Sequence, residues 1–266
     1  MKNNGQNLEL PKRKYIVFAL SGTILIILIW AVLSYLKIVS PIFLSTPTET
    51  LKNIYNLFVN NDILKDVFVS IARVLSGFIL ALLVGLPLGV FCGVSKKIEA
   101  FIETNISFLR YIPIAAFIPL AILWFGVSEI EKIFLIFIGV LPYVILYTSV
   151  ASANVEKEYI EVGKTFGANE WQIIKKIILP RALPNIWDMA RIEMGGAWAL
   201  VILAEVIAAN SGLGYRLILA QRFLHTTDIF ALIIIIGLIG FLIDQLFKLG
   251  YFYLFPWAEK LKVKRI

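Results

Sequence analysis

Ionisable side chains set inside long apolar runs are the residues of this sequence most able to do chemistry. Arg73, Arg110, Arg191, Glu193, Glu205, Asp244 and Lys248 all lie in such runs. A charge in that setting is costly, so it either meets a partner or lines a polar path. Arg73 or Arg110, acting with helix N-termini, could guide an anion. The competing reading is that each charge pairs between segments or reaches back to the headgroups. Asp244 and Lys248, four residues apart, can share one helical face and form a pair, whereas Arg191 and Glu193, two apart, cannot face each other. Gly195-Gly196 followed by Trp198 would let two helices approach closely along a path or seam, or simply pack. Covalent and metal chemistry lack material. Cys92 and His225 are single residues of their kinds and no Cys/His cluster occurs, which excludes an intrachain disulfide and leaves no histidine-based metal site or convergent nucleophile. Gly212 and Gly214 stand in Asn210-Ser211-Gly212-Leu213-Gly214-Tyr215. That stretch lacks the Gly-x-x-x-x-Gly-Lys pattern of a phosphate loop, so the chain is expected to bind no ATP, cofactor or metal of its own.

The elements that must carry these residues are set by composition. The 266 residues are 59% hydrophobic and 16% charged, with mean hydropathy +0.85; an average soluble domain has roughly a quarter charged residues. Six apolar segments emerge, at about 15–36, 67–94, 102–125, 133–153, 186–208 and 229–254. Each reaches the roughly 20 residues needed to cross a bilayer. In lipid the backbone must satisfy its own hydrogen bonds, and the alternation of a membrane barrel is missing, so all six are expected to be helices. The first run follows Lys12-Arg13-Lys14. It exceeds a signal-peptide core and no small-x-small site follows it directly, so it reads as a retained span. The net charge of +7 would point a soluble protein toward nucleic acid, but no nucleic-acid module is present. Here Lys and Arg set orientation. Lys2, Lys12, Arg13, Lys14, Lys96, Lys97, Lys157, Lys164, Lys175, Lys176, Arg181, Lys260, Lys262, Lys264 and Arg265 fall on one side, against Lys37, Lys52, Lys65, Lys132, Arg216 and Arg222 on the other. Both termini are therefore expected in the cytoplasm.

Two connections are long. The outer one, 37–66, opens with Ser45-Thr46-Pro47-Thr48-Glu49 and carries Leu51, Ile54, Tyr55 and Phe58 at helical spacing. It predicts a short amphipathic helix at the outer surface, with packing as its ordinary role. The inner one, 154–184, places Tyr159, Ile160, Gly163, Phe166 and Gly167 on one face of a short helix. Gly163 would admit a close neighbour, and Gly167 can take the left-handed conformation that ends a helix. Asn169 and Gln172 form a capping box that starts a second helix, with Trp171, Ile174, Ile177 and Ile178 as its apolar face and Pro180 as its expected stop. Such short helices need a partner surface. Pro87, Pro113, Pro119 and Pro142 are expected to kink the spans that hold them.

The inner connection also carries a signature. Glu161, Gly167, Ile177, Leu179 and Pro180 match in type and spacing the Glu-Ala-Ala-x3-Gly-x9-Ile-x-Leu-Pro motif of ABC importer permeases, with Val162 and Gly163 in place of the two alanines. Over about 40–256 the chain resembles the nitrate/sulfonate/taurine/bicarbonate branch, notably at Ser70-Ile71-Ala72-Arg73-Val74-Leu75-Ser76-Gly77-Phe78, Ile122-Leu123-Trp124-Phe125-Gly126 and Ser211-Gly212-Leu213-Gly214-Tyr215. The resemblance implies a type I importer in a prokaryotic inner membrane. It implies a single permease domain over 1–266, built as an all-α membrane protein of six transmembrane helices, a short external helix and a two-helix cytoplasmic coupling loop. Two permease chains, expected to be identical, would form the pore. Two ATP-binding subunits, which hold ATP and Mg, would dock on the loop through Tyr159, Glu161, Gly163, Phe166, Gly167, Ala168, Leu179 and Pro180, and an external binding protein would deliver solute. Gly167 is expected to shape the bend, and Glu161 either docks or caps a solvated face. Arg73, Arg110, Trp198, Glu205, Gly212 and Gly214 are the translocation-path candidates. The solute would be a small anion such as a sulfonate, nitrate or bicarbonate, with a vitamin or pyrimidine precursor as the alternative. An ion-gradient transporter would show paired repeats with matching interrupted helices, and none is seen. An intramembrane enzyme would need more nucleophiles or ligands than one Cys and one His supply.

Overall fold

Lipid-length apolar runs leave the chain no option but helix, and helix is what forms. A computed structural model describes residues 11–60 and 62–258. Lys2, Lys260, Lys262, Lys264 and Arg265, used above for orientation, lie outside the described residues, as do the ends of the 1–266 domain. Among the described residues all regular structure is helical. The elements are α1 (Lys12–Tyr35), α2 (Pro47–Asn60), α3 (Ile63–Val94), α4 (Lys96–Tyr111), α5 (Ile118–Phe125), α6 (Glu129–Ala153), α7 (Lys157–Thr165), α8 (Glu170–Ile173), α9 (Leu179–Ala208), α10 (Leu213–Arg222) and α11 (Thr226–Leu254). By length and composition α3, α6 and α11 can each cross a membrane, and up to five crossings result if each of two bent pairs counts as one. The first apolar segment contributes a shorter stretch, Leu20–Tyr35.

The chain divides into two units by contact: the described part of 1–61 with 219–233, and 62–218 with the described part of 234–266. In the first unit α2 starts on a capping box: Thr46 Oγ1 accepts from the Glu49 amide and the Glu49 carboxylate accepts from the Thr46 amide, each at 3.3 Å. Asn53 donates to Asp228 at 2.6 Å, and Trp30 stacks on Phe230. The buried face of α2 is Thr50 and Leu57, while Leu51, Tyr55 and Phe58 stay exposed. The apolar stripe legible in the sequence is thus not the packed one.

In the second unit α3 lies along α6. Small residues allow it: a Cβ on Gly77 would stand 2.6 Å from Ile136 Cβ, and one on Gly89 would stand 2.5 Å from Thr148 Cβ and 2.7 Å from the Ile145 carbonyl. Helices without side chains at the seam gain dispersion contact that lipid cannot supply. Pro87 and Pro142 sit inside α3 and α6 without ending them. The third expected span, 102–125, is not one straight helix. Ile112 is extended before Pro113, as the residue preceding a proline prefers, and α4 meets the 3₁₀ turn Ile114–Phe117 and α5 at a 91° bend. The fifth is longer than expected. Pro180 does not stop the second loop helix. α8 runs through a π-helical turn, Ile174–Ile178, straight into α9, with Pro180 at its start. A π turn re-registers the ladder, which lets the helix pass Pro180, a residue without the N–H that an interior position would donate. α10, between Gly212 and the last apolar segment, was not legible at all.

The seam makes a size-only prediction. Gly89→Val should lower the melting temperature of the detergent-solubilised protein by the equivalent of about 1–3 kcal/mol or more, because the added carbons meet backbone. Gly22→Ala, where a Cβ meets nothing within 4 Å, should leave the melt unchanged or raised; equal losses would refute the seam.

Candidate functional site

Asp66, Ser70 and Arg73 stand at i, i+4 and i+7 on one face of α3, and the structure builds a buried polar cluster on that face. Arg73 is 3% exposed and commits all five of its N–H donors. Its Nε and Nη2 grip the two oxygens of Glu129 at 2.6 and 2.5 Å. Its Nη1 reaches Glu205 at 2.8 Å and the Ser211 carbonyl at 2.7 Å, and Nη2 also reaches the Ser211 hydroxyl at 3.1 Å. Glu205, fully buried on α9, further accepts from Ser70 at 2.7 Å and from the Gly214 amide at 2.9 Å. Asp66 accepts from the Gly212 amide and from Arg216, each at 2.6 Å. Two carboxylates therefore meet amides of the loop that opens α10, where a helix N-terminus favours negative charge. Gly212 has φ +105 and no room for a Cβ against the Glu205 carboxylate, so glycine is demanded there twice over. Of the path candidates, Arg73, Glu205, Gly212 and Gly214 are thus brought together. Asp66, Ser70, Glu129, Ser211 and Arg216 were missed, although the i, i+4, i+7 spacing of Asp66, Ser70 and Arg73 was a signal available in the sequence.

Arg110 and Trp198 stand apart from this cluster. Arg110 lies over the Tyr111 ring, 5.1 Å from its centroid, and lines a cavity of about 170 Å³ at the α4–α5 break with Tyr111, Pro113, Pro142 and Tyr143. Trp198 is buried and donates from its indole to the Ile236 carbonyl at 3.2 Å. Asp244 pairs with Lys248 at 2.9 Å as spacing allowed, and also with Arg191 on α9. Sequence could not supply that second partner, because it comes from another helix.

The inner connection folds as two short helices about a sharp bend. Gly167, at φ +76, closes α7 in a Schellman motif: the Gly167 amide donates to Lys164 and the Ala168 amide to Gly163. Asn169 and Gln172 cap α8 reciprocally at 2.9 and 3.0 Å. Gly163 is buried, and a Cβ there would stand 2.5 Å from Ile177 Cδ1. Its close neighbour is this chain's own π turn. Tyr159 carries the Arg181 guanidinium 3.1 Å above its ring, and Arg181 also pairs with Glu156 at 3.4 Å. Glu161 is exposed, Ala168 partly so, and Leu179 and Pro180 are half-buried in the continuous helix. Phe166 is 86% exposed, with Val162 and Trp171 also outside any core.

Comparison with known proteins then narrows the reading. Residues 85–260 match the model of the family described as binding-protein-dependent transport system inner membrane component. The chain is 35% identical over 234 residues to a putative aliphatic sulfonates transport permease of Bacillus subtilis (strain 168), covering 88% of this chain and 85% of that one. It is 28% identical over 252 residues to the taurine transport system permease of Escherichia coli (strain K12), covering 93% and 92%. Among solved structures it resembles the inward-facing MetNI methionine ABC transporter at TM-score 0.61 and 20% identity, over 71% of this chain and 94% of that one.

The cluster around Arg73 has a measurable signature. Arg73→Met leaves Glu205 buried without its cation and should cost about 3–5 kcal/mol, read as a fall in melting temperature. Glu129→Gln, at a carboxylate 60% exposed, should cost no more than about 1 kcal/mol. Adding Glu205→Gln to Arg73→Met should recover part of the loss. Strict additivity would mean that the two groups are not coupled.

Proposed function

The chain belongs to the family of binding-protein-dependent transport system inner membrane components, and from that premise we propose that 156–180 is the seat of its ATPase and that its solute is a small sulfonate. It is the permease subunit of an ABC importer, a multi-pass membrane protein that works with ATPase and binding-protein partners. The observation that carries the docking reading is the uncovered apolar tip at the bend. Phe166, Val162 and Trp171 are exposed; Val162 lies on α7 and Phe166 at its end, a nine-residue helix too short to be stable alone, and Trp171 lies at the free end of the helix that runs on into α9. A partner with a groove for an aromatic side chain would bury them. Glu161 on the same helix is placed to meet a basic side chain, while Gly163, Gly167 and Ala168 set the shape of the bend. Tyr159 is held by Arg181 and braces the loop. ATP and Mg act on the docked subunits, and two copies of this chain enclose the path.

Force then has a direct route. From Glu170 to Ala208 the chain is helical without a break, about 60 Å at 1.5 Å per residue. Leu179 and Pro180 lie inside this helix, so a displacement at the tip is delivered to α9 and, through Glu205, to the cluster around Arg73. In this reading Arg73, Glu205, Gly212 and Gly214 hold the loop before α10 in place, and Arg110 lines the path at the α4–α5 break. The loop lies in the cytoplasm, as the distribution of Lys and Arg supports. The sulfonate assignment rests on the names of the two relatives above.

Phe166→Ala combined with Trp171→Ala should abolish copurification of the cognate ATPase and leave the melting temperature of the permease within about 1 kcal/mol of the parent, as exposed positions allow. Retained ATPase on such a variant would overturn the docking proposal. Calorimetry of the cognate binding protein with taurine and ethanesulfonate checks the solute class: binding of either is expected, and binding of bicarbonate or nitrate alone would reject it.

A further inference from the structure

Between α9 and α11 a cavity of about 200 Å³ opens, lined by Arg191, Met194, Gly195, Trp198, Gly240 and Asp244 among others. The volume would hold roughly six waters at about 30 Å³ each, or one small organic molecule. Arg191 and Asp244 are 33% and 34% exposed, and Lys248 is half-exposed. These charges sit on apolar helices, and hydrocarbon is no place for them. The Asp244 carboxylate meets both cations, one oxygen to Arg191 and the other to Lys248, which leaves the trio with one excess positive charge. Arg191 gives only its Nε–H to Asp244. Its four terminal N–H groups make no hydrogen bond to another described residue, in contrast to the saturated guanidinium of Arg73. A half-committed guanidinium fork matches the paired oxygens of an oxyanion. Beside it Gly195 keeps the wall open, since a Cβ there meets nothing within 4 Å. Trp198 and Met194 offer apolar surface to the remainder of a ligand.

We propose that this cavity is a transient anion subsite, in which Arg191, backed by Lys248, receives the oxyanion head of a small organic anion while its short apolar body lies against Trp198. The inference rests on the permease reading, and the test keeps the two apart. The experiment uses the permease copurified with its ATPase. Absence of that complex counts against the permease reading before any labelling begins. Cys92, buried in α3, is replaced by alanine, and Gly195→Cys supplies a thiol at the cavity; Ile192→Cys serves as a second reporter should the first be poorly folded. The thiol is exposed to 2-sulfonatoethyl methanethiosulfonate and, separately, to the similarly sized 2-(trimethylammonium)ethyl reagent. Rates are normalised to those with a free thiol in solution. The anionic reagent is expected to be favoured at least tenfold, the scale set by one excess charge about 6 Å away even at the full dielectric of water. Arg191→Gln should abolish the preference while leaving the cationic reagent able to react. Labelling by neither reagent at either reporter would mean that lipid or a second copy covers the cavity and would overturn the proposal. So would a preference for the cation, or an anion preference that survives Arg191→Gln.

Discussion

Glu205 is fully enclosed by protein, and the placing of its negative charge governs much of the second unit. A carboxylate taken out of water loses several kcal/mol of hydration unless cations and donors are already fixed around it. Here they come from separate parts of the chain: Ser70 and Arg73 from α3, and the Gly214 amide from the first turn of α10. Each of those segments must be in position at once, so the cluster selects one arrangement of the helices over near alternatives. Hydrophobic packing could not do this alone, because in lipid an apolar helix face is nearly as well satisfied by acyl chains as by protein. The α3–α6 glycine seam sets how closely two helices approach, and the cluster sets which loop meets them.

The continuity of α8 with α9 follows from a similar local accommodation. A proline inside a helix normally removes one hydrogen bond and pushes a carbonyl aside. The π turn just before Pro180 absorbs that defect, so the helix continues where a sequence rule would end it. Because Gly163 admits Ile177 at the same turn, α7 is seated on the root of α9. α7 is therefore joined to the α8–α9 helix both through the 167–169 bend and across this contact. The cation–π contact of Arg181 with Tyr159 and its ion pair with Glu156 brace the same corner.

The parts of this architecture that depend on nearest neighbours in the chain were legible in the sequence. The capping box at Asn169, the left-handed Gly167, the Asp244–Lys248 pair and the helical character of the apolar segments follow from spacing and composition alone. The parts that depend on partners distant in the chain were not. Pairing of Arg73 with Glu129 and Glu205, and of Arg191 with Asp244, requires knowing which helices adjoin. One local rule also gave way to its surroundings. Pro180 was expected to stop a helix, and the helix instead runs through it. There a single-element argument competed with geometry imposed from outside the element, and the latter prevailed.

The two arginines on the polar faces of α3 and α9 differ in how much of their hydrogen-bond capacity the chain fills. Arg73 has five N–H donors and five acceptors, all from its own chain, and 3% exposure. A solute oxygen that took Nη1 would have to displace Glu205 or the Ser211 carbonyl, and displacing Glu205 would leave a buried carboxylate short of a partner at a cost comparable to what was gained. Transport requires binding that is easily reversed, which a guanidinium offers more readily when its donors are not already taken. Among the described residues Arg191 has one donor committed, with an accessible flank and a second cation one turn beyond its acceptor. Exchange of a solute oxyanion for water at such a group leaves nothing buried and unpaired. A charge on a membrane helix is thus informative about function only once its hydrogen-bond capacity has been counted: the filled one fixes the fold, and the unfilled one keeps the donors that the proposed subsite would use.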